Sequence, residues 1–116
     1  METKKSPSIK ELLKKAKQLP LKPGVYLMKD SRGIVLYVGK AKLLKNRVSS
    51  YFQKQHGTER KRAVMVSKVH DIDTIITATE KEALIFENNL IKEYRPRFNV
   101  VFRDDKEYPY LKLSVK

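Results

Sequence analysis

The residues best suited to chemistry in this sequence are two tyrosines, each close to a glycine. Tyr26 lies two residues after Gly24, and Tyr37 lies two residues before Gly39. The apolar runs that carry them are separated by residues 30–33, Asp-Ser-Arg-Gly, which predicts a β-hairpin. A loop of two or four residues places Tyr26 opposite Tyr37 on one face, whereas an odd-numbered loop does not. Two adjacent phenol groups indicate a site for chemistry as well as a core.

A carboxylate lies on the apolar side of the longest predicted helix. On a helical wheel of residues 80–94, Glu87 falls in the middle of the apolar side. That side comprises Ala83, Leu84, Phe86, Leu90, Ile91 and Tyr94. A carboxylate in this position loses solvation, so it needs a partner or takes up a proton. Two roles stay open, an ion pair with a nearby Arg or Lys and a metal ligand.

An arginine shows the same conflict with its surroundings. Arg47 forms an i, i+4, i+8 row with Leu43 and Tyr51 on the apolar side of a helix predicted at residues 42–53. One interpretation makes Arg47 the partner of Glu87. The other makes it a guanidinium held for bidentate contact with a phosphate. Both interpretations hold if the side chains of Arg47 and Glu87 line one cleft.

A lysine completes the set of reactive side chains. Lys40 directly follows Gly39, so it projects from the end of the strand that bears Tyr37. A lone lysine in a loop is usually solvated, and its significance therefore depends on its neighbours. Phosphodiester hydrolysis needs a base for water, cations for the developing charge and usually a divalent metal. The phenols, the two cations and the carboxylate together suit that reaction.

The charge balance favours an anionic partner. The chain has 116 residues, with 26 Lys and Arg against 13 Asp and Glu, which gives a formal net charge of +13. Neutralising phosphates releases counterions, so nucleic acid is the favoured partner and an anionic membrane surface the alternative. No stretch approaches the ~20 apolar residues of a membrane span. The lack of cysteine excludes disulfides, thiolate metal sites and cysteine nucleophiles, and it is compatible with a reducing cytoplasm.

The remaining patterns predict one small domain of alternating elements. Helices are predicted at residues 9–17, 42–53, 59–69 and 80–94. Strands are predicted within the hairpin, residues 24–39, and at residues 71–79. Thr79 and Glu82 form a capping box at the start of the longest helix. Residues 98–116 are predicted to be a tail that ends in an edge strand.

In this order, the segments resemble the motifs of the GIY-YIG nucleases. Residues 24–26, Gly-Val-Tyr, and residues 37–39, Tyr-Val-Gly, resemble the two half-motifs with valine in place of isoleucine. The similarity continues over residues 37–51 and 80–99. Residues 103–110 are similar to the N-terminal domains of UvrC proteins, the incision subunits of bacterial nucleotide excision repair. Each valine is expected to face away from its neighbouring tyrosine.

The resemblance implies a fold and a reaction. The fold is of the α/β class, α+β type, with a small three-stranded antiparallel sheet flanked by helices. The similarity covers about residues 19–113 of a single domain, 1–116, which is expected to be an N-terminal fragment of a longer protein. The reaction is metal-dependent cleavage of DNA on the 3′ side of a lesion. The implied setting is the bacterial cytoplasm, with damaged double-stranded DNA and UvrB as partners and no membrane.

The resemblance also implies a role for each matching residue. Tyr37 is the general base, and Glu87 holds one divalent metal ion, Mg²⁺ or Mn²⁺. Lys40 and Arg47 stabilise charge on the phosphate. Three further residues complete the site: Tyr26, Tyr51 and Asn99. Apart from the resemblance, the excess of basic charge between residues 40 and 62 favours additional DNA contacts from six residues: Lys42, Lys45, Lys54, Arg60, Lys61 and Arg62.

The proposed base needs activation. A free tyrosine has a pKa near ~10, so only about 0.1% is phenolate at pH 7. Lys40, Arg47 and a metal ion all favour the phenolate form of Tyr37. Alternatively, Tyr37 passes its proton on through Tyr26 or water. The sequence leaves both routes open, together with a second function, a basic DNA-binding module that does not cleave.

Overall fold

A computed structural model describes residues 8–53 and 60–103 of the chain. The described helices are α1 (Ile9–Lys17), α2 (Leu44–Phe52), α3 (Arg60–Lys68), α4 (Glu80–Tyr94) and α5 (Arg97–Arg103). The strands are β1 (Gly24–Lys29), β2 (Val35–Ala41) and β3 (Asp71–Ile76). None of the described helices has the length and apolar character that a membrane-spanning segment requires.

The three strands form one antiparallel sheet in the order β2-β1-β3, so that β1 is central and β2 is an edge. The predicted sheet and its flanking helices are therefore confirmed. Helix α1 packs on α2, while α4 packs on β1 and β2. The capping box predicted at the start of α4 forms in part. Thr79 Oγ1 accepts from the N–H of Glu82, but the Glu82 carboxylate accepts from the N–H of Ala78, one residue before the N-cap. Ser8 and Glu11 form a complete capping box at the start of α1.

The sheet separates two apolar clusters. The larger cluster contains Tyr26, Tyr37 and buried side chains of α1, α2 and α3. The smaller contains Val25 and Val38 with Ala83 of α4. Each half-motif valine thus lies on the opposite face from its tyrosine, as predicted, because successive strand residues alternate between faces.

The hairpin register differs from the prediction. Tyr26 pairs with Gly39, and Tyr37 pairs with Met28, so the two tyrosines are not directly opposite each other. The shift is two residues along the strand, which leaves both phenols on the same face. Their ring centroids are 6.1 Å apart.

Two local irregularities cause this shift. The loop from Asp30 to Ile34 has five residues, and Gly33 adopts a left-handed conformation with φ of 82°. An odd-numbered loop alone would turn Tyr37 to the opposite face. A β-bulge then gives β2 one extra residue, Leu36, and returns Tyr37 to the face of Tyr26.

Helix α4 buries a narrower face than the helical wheel predicts. Ala83 is fully buried, and Glu87 is half-buried in the middle of the packed face. Four large apolar side chains of α4 are instead exposed: Leu84, Ile85, Phe86 and Tyr94. The reason is geometric, because α4 covers two short strands and one row of side chains is enough to do so.

The segment after α4 also differs from the prediction. Arg95 ends α4 in a left-handed conformation, with φ of 45°, and its N–H donates to the carbonyl of Ile91. Residues 97–103 then form α5 where an irregular tail was predicted, and Phe98 joins the larger cluster. The predicted edge strand at the end of the tail lies outside the described residues.

Candidate active site

Three tyrosines from β1, β2 and α2 meet on the side of the sheet that α2 covers. Tyr26, Tyr37 and Tyr51 have ring centroids separated by 5.7 to 6.4 Å, and none is more than 7% exposed. The hydroxyls of Tyr26 and Tyr51 share a hydrogen bond of 2.8 Å. The structure thus brings together three side chains that the sequence predicted as neighbours, and we call them the tyrosine cluster.

A glycine makes room for this cluster. The ring of Tyr26 crosses the backbone of Gly39, its pairing partner on β2. A Cβ atom on Gly39 would overlap the Oη and Cζ atoms of Tyr26. The glycine of the second half-motif is therefore required by the tyrosine of the first.

Burial fixes the protonation state of Tyr26. Loss of solvation raises the pKa of Tyr26 well above its ordinary value, Tyr51 raises it further, and Arg47 opposes the change. Tyr26 is therefore a neutral phenol at physiological pH. It can donate and accept hydrogen bonds within the cluster, but it cannot act as a phenolate base.

Two guanidinium groups approach the cluster. The Cζ atom of Arg47 lies 5.7 Å from the ring centroid of Tyr51, and that of Arg62 lies 4.2 Å from it. The pKa of Arg47 is raised, chiefly by the adjacent phenol of Tyr26, so Arg47 stays charged. Arg62 also donates to the hydroxyl of Ser50 at 3.4 Å. The sequence predicted Arg62 only as a DNA contact, because its stacking depends on how α3 packs.

A carboxylate and a lysine lie on the opposite side of β2. Glu87 accepts a hydrogen bond from the backbone N–H of Lys40. Burial raises the pKa of Glu87, and the Lys40 charge opposes that rise. Among the residues that the structure describes, no ion pair joins Glu87 to Arg47, since Arg47 lies with the tyrosines.

An asparagine from α5 binds the edge of the sheet between the two halves of the site. Asn99 accepts a hydrogen bond from the N–H of Val38 and donates one to its carbonyl, both at 2.9 Å. These bonds satisfy an edge strand as a neighbouring strand would. Asn99 thus holds the backbone between Tyr37 and Gly39.

Comparison with known proteins identifies the family. Residues 22–100 match the model of the UvrC-like GIY-YIG domain. The chain belongs to this family. Among curated relatives of this GIY-YIG domain, UvrABC system protein C of Carboxydothermus hydrogenoformans is 60% identical over 103 residues, which are 89% of this chain and 17% of that protein. The corresponding protein of Gloeobacter violaceus is 59% identical over 93 residues, 80% of this chain and 15% of that protein.

A solved structure agrees with this assignment. The GIY-YIG N-terminal endonuclease domain of UvrC from Thermotoga maritima, bound to its catalytic divalent cation magnesium, matches with a TM-score of 0.67 and 39% identity. The match covers 75% of this chain and 93% of that domain. The GIY-YIG chain spans less than a fifth of the length of the curated relatives described above.

The chemistry of the donor set fits a magnesium-type ion. Within the described part of the GIY-YIG domain, no three His, Cys, Asp or Glu side chains are grouped to hold a metal. Mg²⁺ is commonly bound through one or two carboxylates, with waters and phosphate oxygens as its other ligands. Glu87 is a half-buried carboxylate whose charged form is destabilised by burial, so a bound cation would stabilise it.

The other basic residues predicted to contact DNA are dispersed over the GIY-YIG domain. Lys42 is 80% exposed, with its Nζ 4.0 Å from a carboxylate oxygen of Glu80. Lys45 lines a polar cavity between α1 and α2. Arg60 and Lys61 are exposed on α3. Lys54 lies outside the described residues.

Proposed function

We propose that the chain is a metal-dependent DNA endonuclease domain that makes the 3′ incision of bacterial nucleotide excision repair. The observation that carries this proposal is the arrangement around one short stretch of β2, from Tyr37 to Lys40. The tyrosine cluster with Arg47 borders it on one side, and Glu87 borders it on the other. A base, cations and a carboxylate thereby surround a single strand edge.

Tyr37 acts as the general base in this proposal. It takes the proton of the attacking water, while Tyr26 remains a neutral phenol bonded to Tyr51. The guanidinium of Arg47 favours a negative charge within the cluster. As a phenolate, Tyr37 keeps this proton and becomes a neutral phenol. In the relay route, a neutral Tyr37 releases its own proton to solvent as it accepts the proton of the water, and the hydrogen-bonded Tyr26 and Tyr51 hydroxyls would carry it outward.

Lys40 and Glu87 act on the phosphate from the other side. The Lys40 ammonium stabilises charge that develops on the phosphoryl oxygens. Glu87 is the residue that would hold one Mg²⁺ or Mn²⁺ ion, and its hydrogen bond to the Lys40 backbone restricts the orientation of the carboxylate. When bound, this ion supplies Lewis-acid polarisation of the phosphate.

The partners follow from the charge and the family. A formal net charge of +13 supports a nucleic-acid substrate, whose binding should weaken steeply with salt. The relatives named UvrABC system protein C belong to a three-component system, which supports damaged double-stranded DNA and UvrB as partners in the bacterial cytoplasm. Arg60, Lys61 and Arg62 on α3 supply further contacts to the DNA backbone.

Glu87→Gln is the direct test of this function. We expect it to abolish Mg²⁺-dependent cleavage of a duplex with a defined lesion, because an amide cannot replace the carboxylate as a hard anionic ligand. The measurement is single-turnover cleavage by the full-length protein with UvrB, together with DNA affinity and circular dichroism. Both of the latter should stay unchanged.

Glu93→Gln is the matched control, since it removes one carboxylate from an exposed position on the same helix. It should cleave as the wild type does. Cleavage by Glu87→Gln at the wild-type rate would disprove the metal assignment. A wild type that binds the duplex and does not cleave it under any metal would instead establish the basic DNA-binding module.

A further inference from the structure

A cavity of about 230 Å³ opens beside the tyrosine cluster, between α1, α2 and α3. Apolar side chains form much of its wall, with Ile9, Ala63 and Val66 among them. Tyr51, Gln53, Arg62 and Ser67 complete the lining. The cavity therefore combines apolar walls with one stacked pair of planar groups, the Arg62 guanidinium over the Tyr51 ring.

We propose that this cavity receives one nucleobase of the DNA strand that is cut. The proposal rests on the proposed nuclease function and adds a specific binding position to it. Unpaired bases are bound in proteins by stacking on aromatic rings and on arginine planes. The cavity offers an arginine plane that is itself stacked on an aromatic ring, and its size suits a single heterocycle better than a peptide segment.

The cavity is joined directly to the candidate active site. Tyr51 lines the cavity, and its hydroxyl shares a hydrogen bond of 2.8 Å with the hydroxyl of Tyr26. A base held against Arg62, which stacks on Tyr51, therefore belongs to a nucleotide close to the phosphate that is cut. Docking the base would also fix the position of that phosphate relative to Tyr37.

Charge around the cavity suits a nucleotide. Helix α3 carries four basic and no acidic residues among its nine, and it forms one wall of the cavity. Phosphates on either side of a docked base would meet these cations, while the base itself meets the apolar wall. A hydrophobic peptide would satisfy the apolar wall but bring no negative charge to the basic helix.

Arg62 is held in place before any ligand arrives. Its guanidinium lies 4.2 Å from the Tyr51 ring centroid, and it donates to Ser50 at 3.4 Å. A planar cation that is already oriented loses little freedom when a base stacks on it. This contact gives α3 a role in substrate positioning beyond its net charge.

Filling the cavity tests the proposal. Ala63→Leu enlarges a side chain of the cavity wall, and Val64→Leu is the matched control because Val64 is exposed on the same helix and does not line the cavity. The full-length protein, with UvrB, is assayed on duplexes with a fixed lesion and a single abasic nucleotide. The abasic position is moved through the nucleotides that flank the cut.

If a base occupies the cavity, removing that base and filling the cavity should cause the same loss of kcat/KM and not two separate losses. At one position, removal of the base should lower kcat/KM of the wild type by about 5- to 150-fold, the range of one base stacking on an aromatic side chain. Ala63→Leu should show a loss of similar size on intact DNA and no further loss at that abasic position. Val64→Leu should match the wild type on every duplex.

Two results would overturn the proposal. One is that Ala63→Leu cleaves intact DNA as fast as Val64→Leu does. The other is that the loss caused by Ala63→Leu and the loss caused by base removal are independent at every abasic position, so that the two factors multiply. The same comparison of variants and abasic duplexes, measured as equilibrium DNA affinity in EDTA, tests the cavity without catalysis. A base effect in EDTA with no metal-dependent cleavage would refute the nuclease function and retain the cavity. Metal-dependent cleavage at the normal rate, with independent effects of Ala63→Leu and of base removal, would retain the nuclease function and refute the cavity.

Discussion

The two sides of strand β2 differ in solvent exposure and in the chemistry that their side chains can do. On the α2 side, three tyrosines are at most 7% exposed, and Tyr26 is neutral because burial raises its pKa. On the α4 side, Glu87 is half-buried and Lys40 is exposed. The less exposed α2 side holds uncharged tyrosines in fixed positions, with the charged Arg47 beside them. The more exposed α4 side carries the carboxylate and the lysine that are proposed to meet a metal ion and a phosphate.

Packing follows the same division. The α2 side belongs to the larger apolar cluster, in which side chains of α1, α2, α3 and α5 meet. The α4 side has a small cluster, and α4 leaves Leu84, Ile85 and Phe86 exposed. Substitutions on the α2 side should therefore affect stability and geometry together. Substitutions of charged groups on the α4 side should affect activity with little effect on folding.

Tyr37→Phe should produce the largest effect of a single atom on the α2 side. We expect cleavage to fall by about 10² to 10⁴-fold, the usual contribution of a general base, because the ring keeps its packing and only the hydroxyl is lost. Tyr26→Phe is the matched control, since its buried hydroxyl remains protonated. It should lose only about tenfold, which corresponds to one hydrogen bond. The measurement is single-turnover cleavage at saturating DNA.

Equal losses of cleavage rate in Tyr37→Phe and Tyr26→Phe would contradict the different roles proposed for the two tyrosines. They would indicate that the proton leaves through the Tyr26–Tyr51 pair, and that both hydroxyls serve one relay. The relay is the second of the two routes open for Tyr37. The pair of variants therefore distinguishes direct phenolate action from proton transfer through the cluster.

Gly39→Ala should have the next largest effect, and it acts on stability. The new methyl group would overlap the ring of Tyr26, and overpacking of this kind costs about 1–3 kcal/mol. Cleavage should fall as well, because Tyr26 must move. Gly33→Ala is the control: it is strained by a φ of 82°, at about 1 kcal/mol, but meets no atom within 4 Å.

Urea unfolding and cleavage rates, measured on both glycine variants, separate strain from geometry. Gly33→Ala should lose stability and keep full activity, since the hairpin loop is remote from the tyrosine cluster. If Gly39→Ala cleaves as well as Gly33→Ala does, the close packing of Tyr26 against β2 is not required for catalysis. This packing on the α2 side would then contribute only stability.

The sequence singles out candidate residues more readily than it predicts the contacts between them. Glu87 was identified because a charge in an apolar helical row needs a partner, and periodicity alone shows this. The three-stranded sheet was implied by the resemblance. The register of Tyr26 against Gly39 was missed, because a five-residue loop and a bulge act together and neither has a strong signal in the sequence.

Other contacts depend on tertiary packing and leave no periodic signal. The stacking of Arg62 on Tyr51 requires α3 to pack beside the last turn of α2, where Tyr51 lies, and charge alone could predict only a surface contact. Asn99 matches the family pattern, but its two bonds to Val38 appear only once α5 reaches the edge of β2. Helix faces can be predicted locally, whereas these pairs join residues far apart in the chain.

The smallest expected effect is a pH dependence on the α4 side. Burial raises the pKa of Glu87, so the folded domain holds this proton more tightly than the unfolded chain does. A group of this kind adds stability below its unfolded pKa, and that stability is lost as the pH rises through its folded pKa. We therefore expect the metal-free wild type to lose free energy of unfolding relative to Glu87→Gln as the pH rises above ~4.3.

Urea unfolding in EDTA across this pH range, with Glu93→Gln as the exposed control, measures the difference. Mg²⁺ should reverse it in the wild type alone, because the ion binds the charged carboxylate and thereby stabilises the folded state. Parallel pH profiles for the wild type and Glu87→Gln would mean that the α4 side imposes no desolvation on Glu87. The carboxylate would then be an ordinary surface group, and the difference between the α2 side and the α4 side of β2 would rest on the buried tyrosines alone.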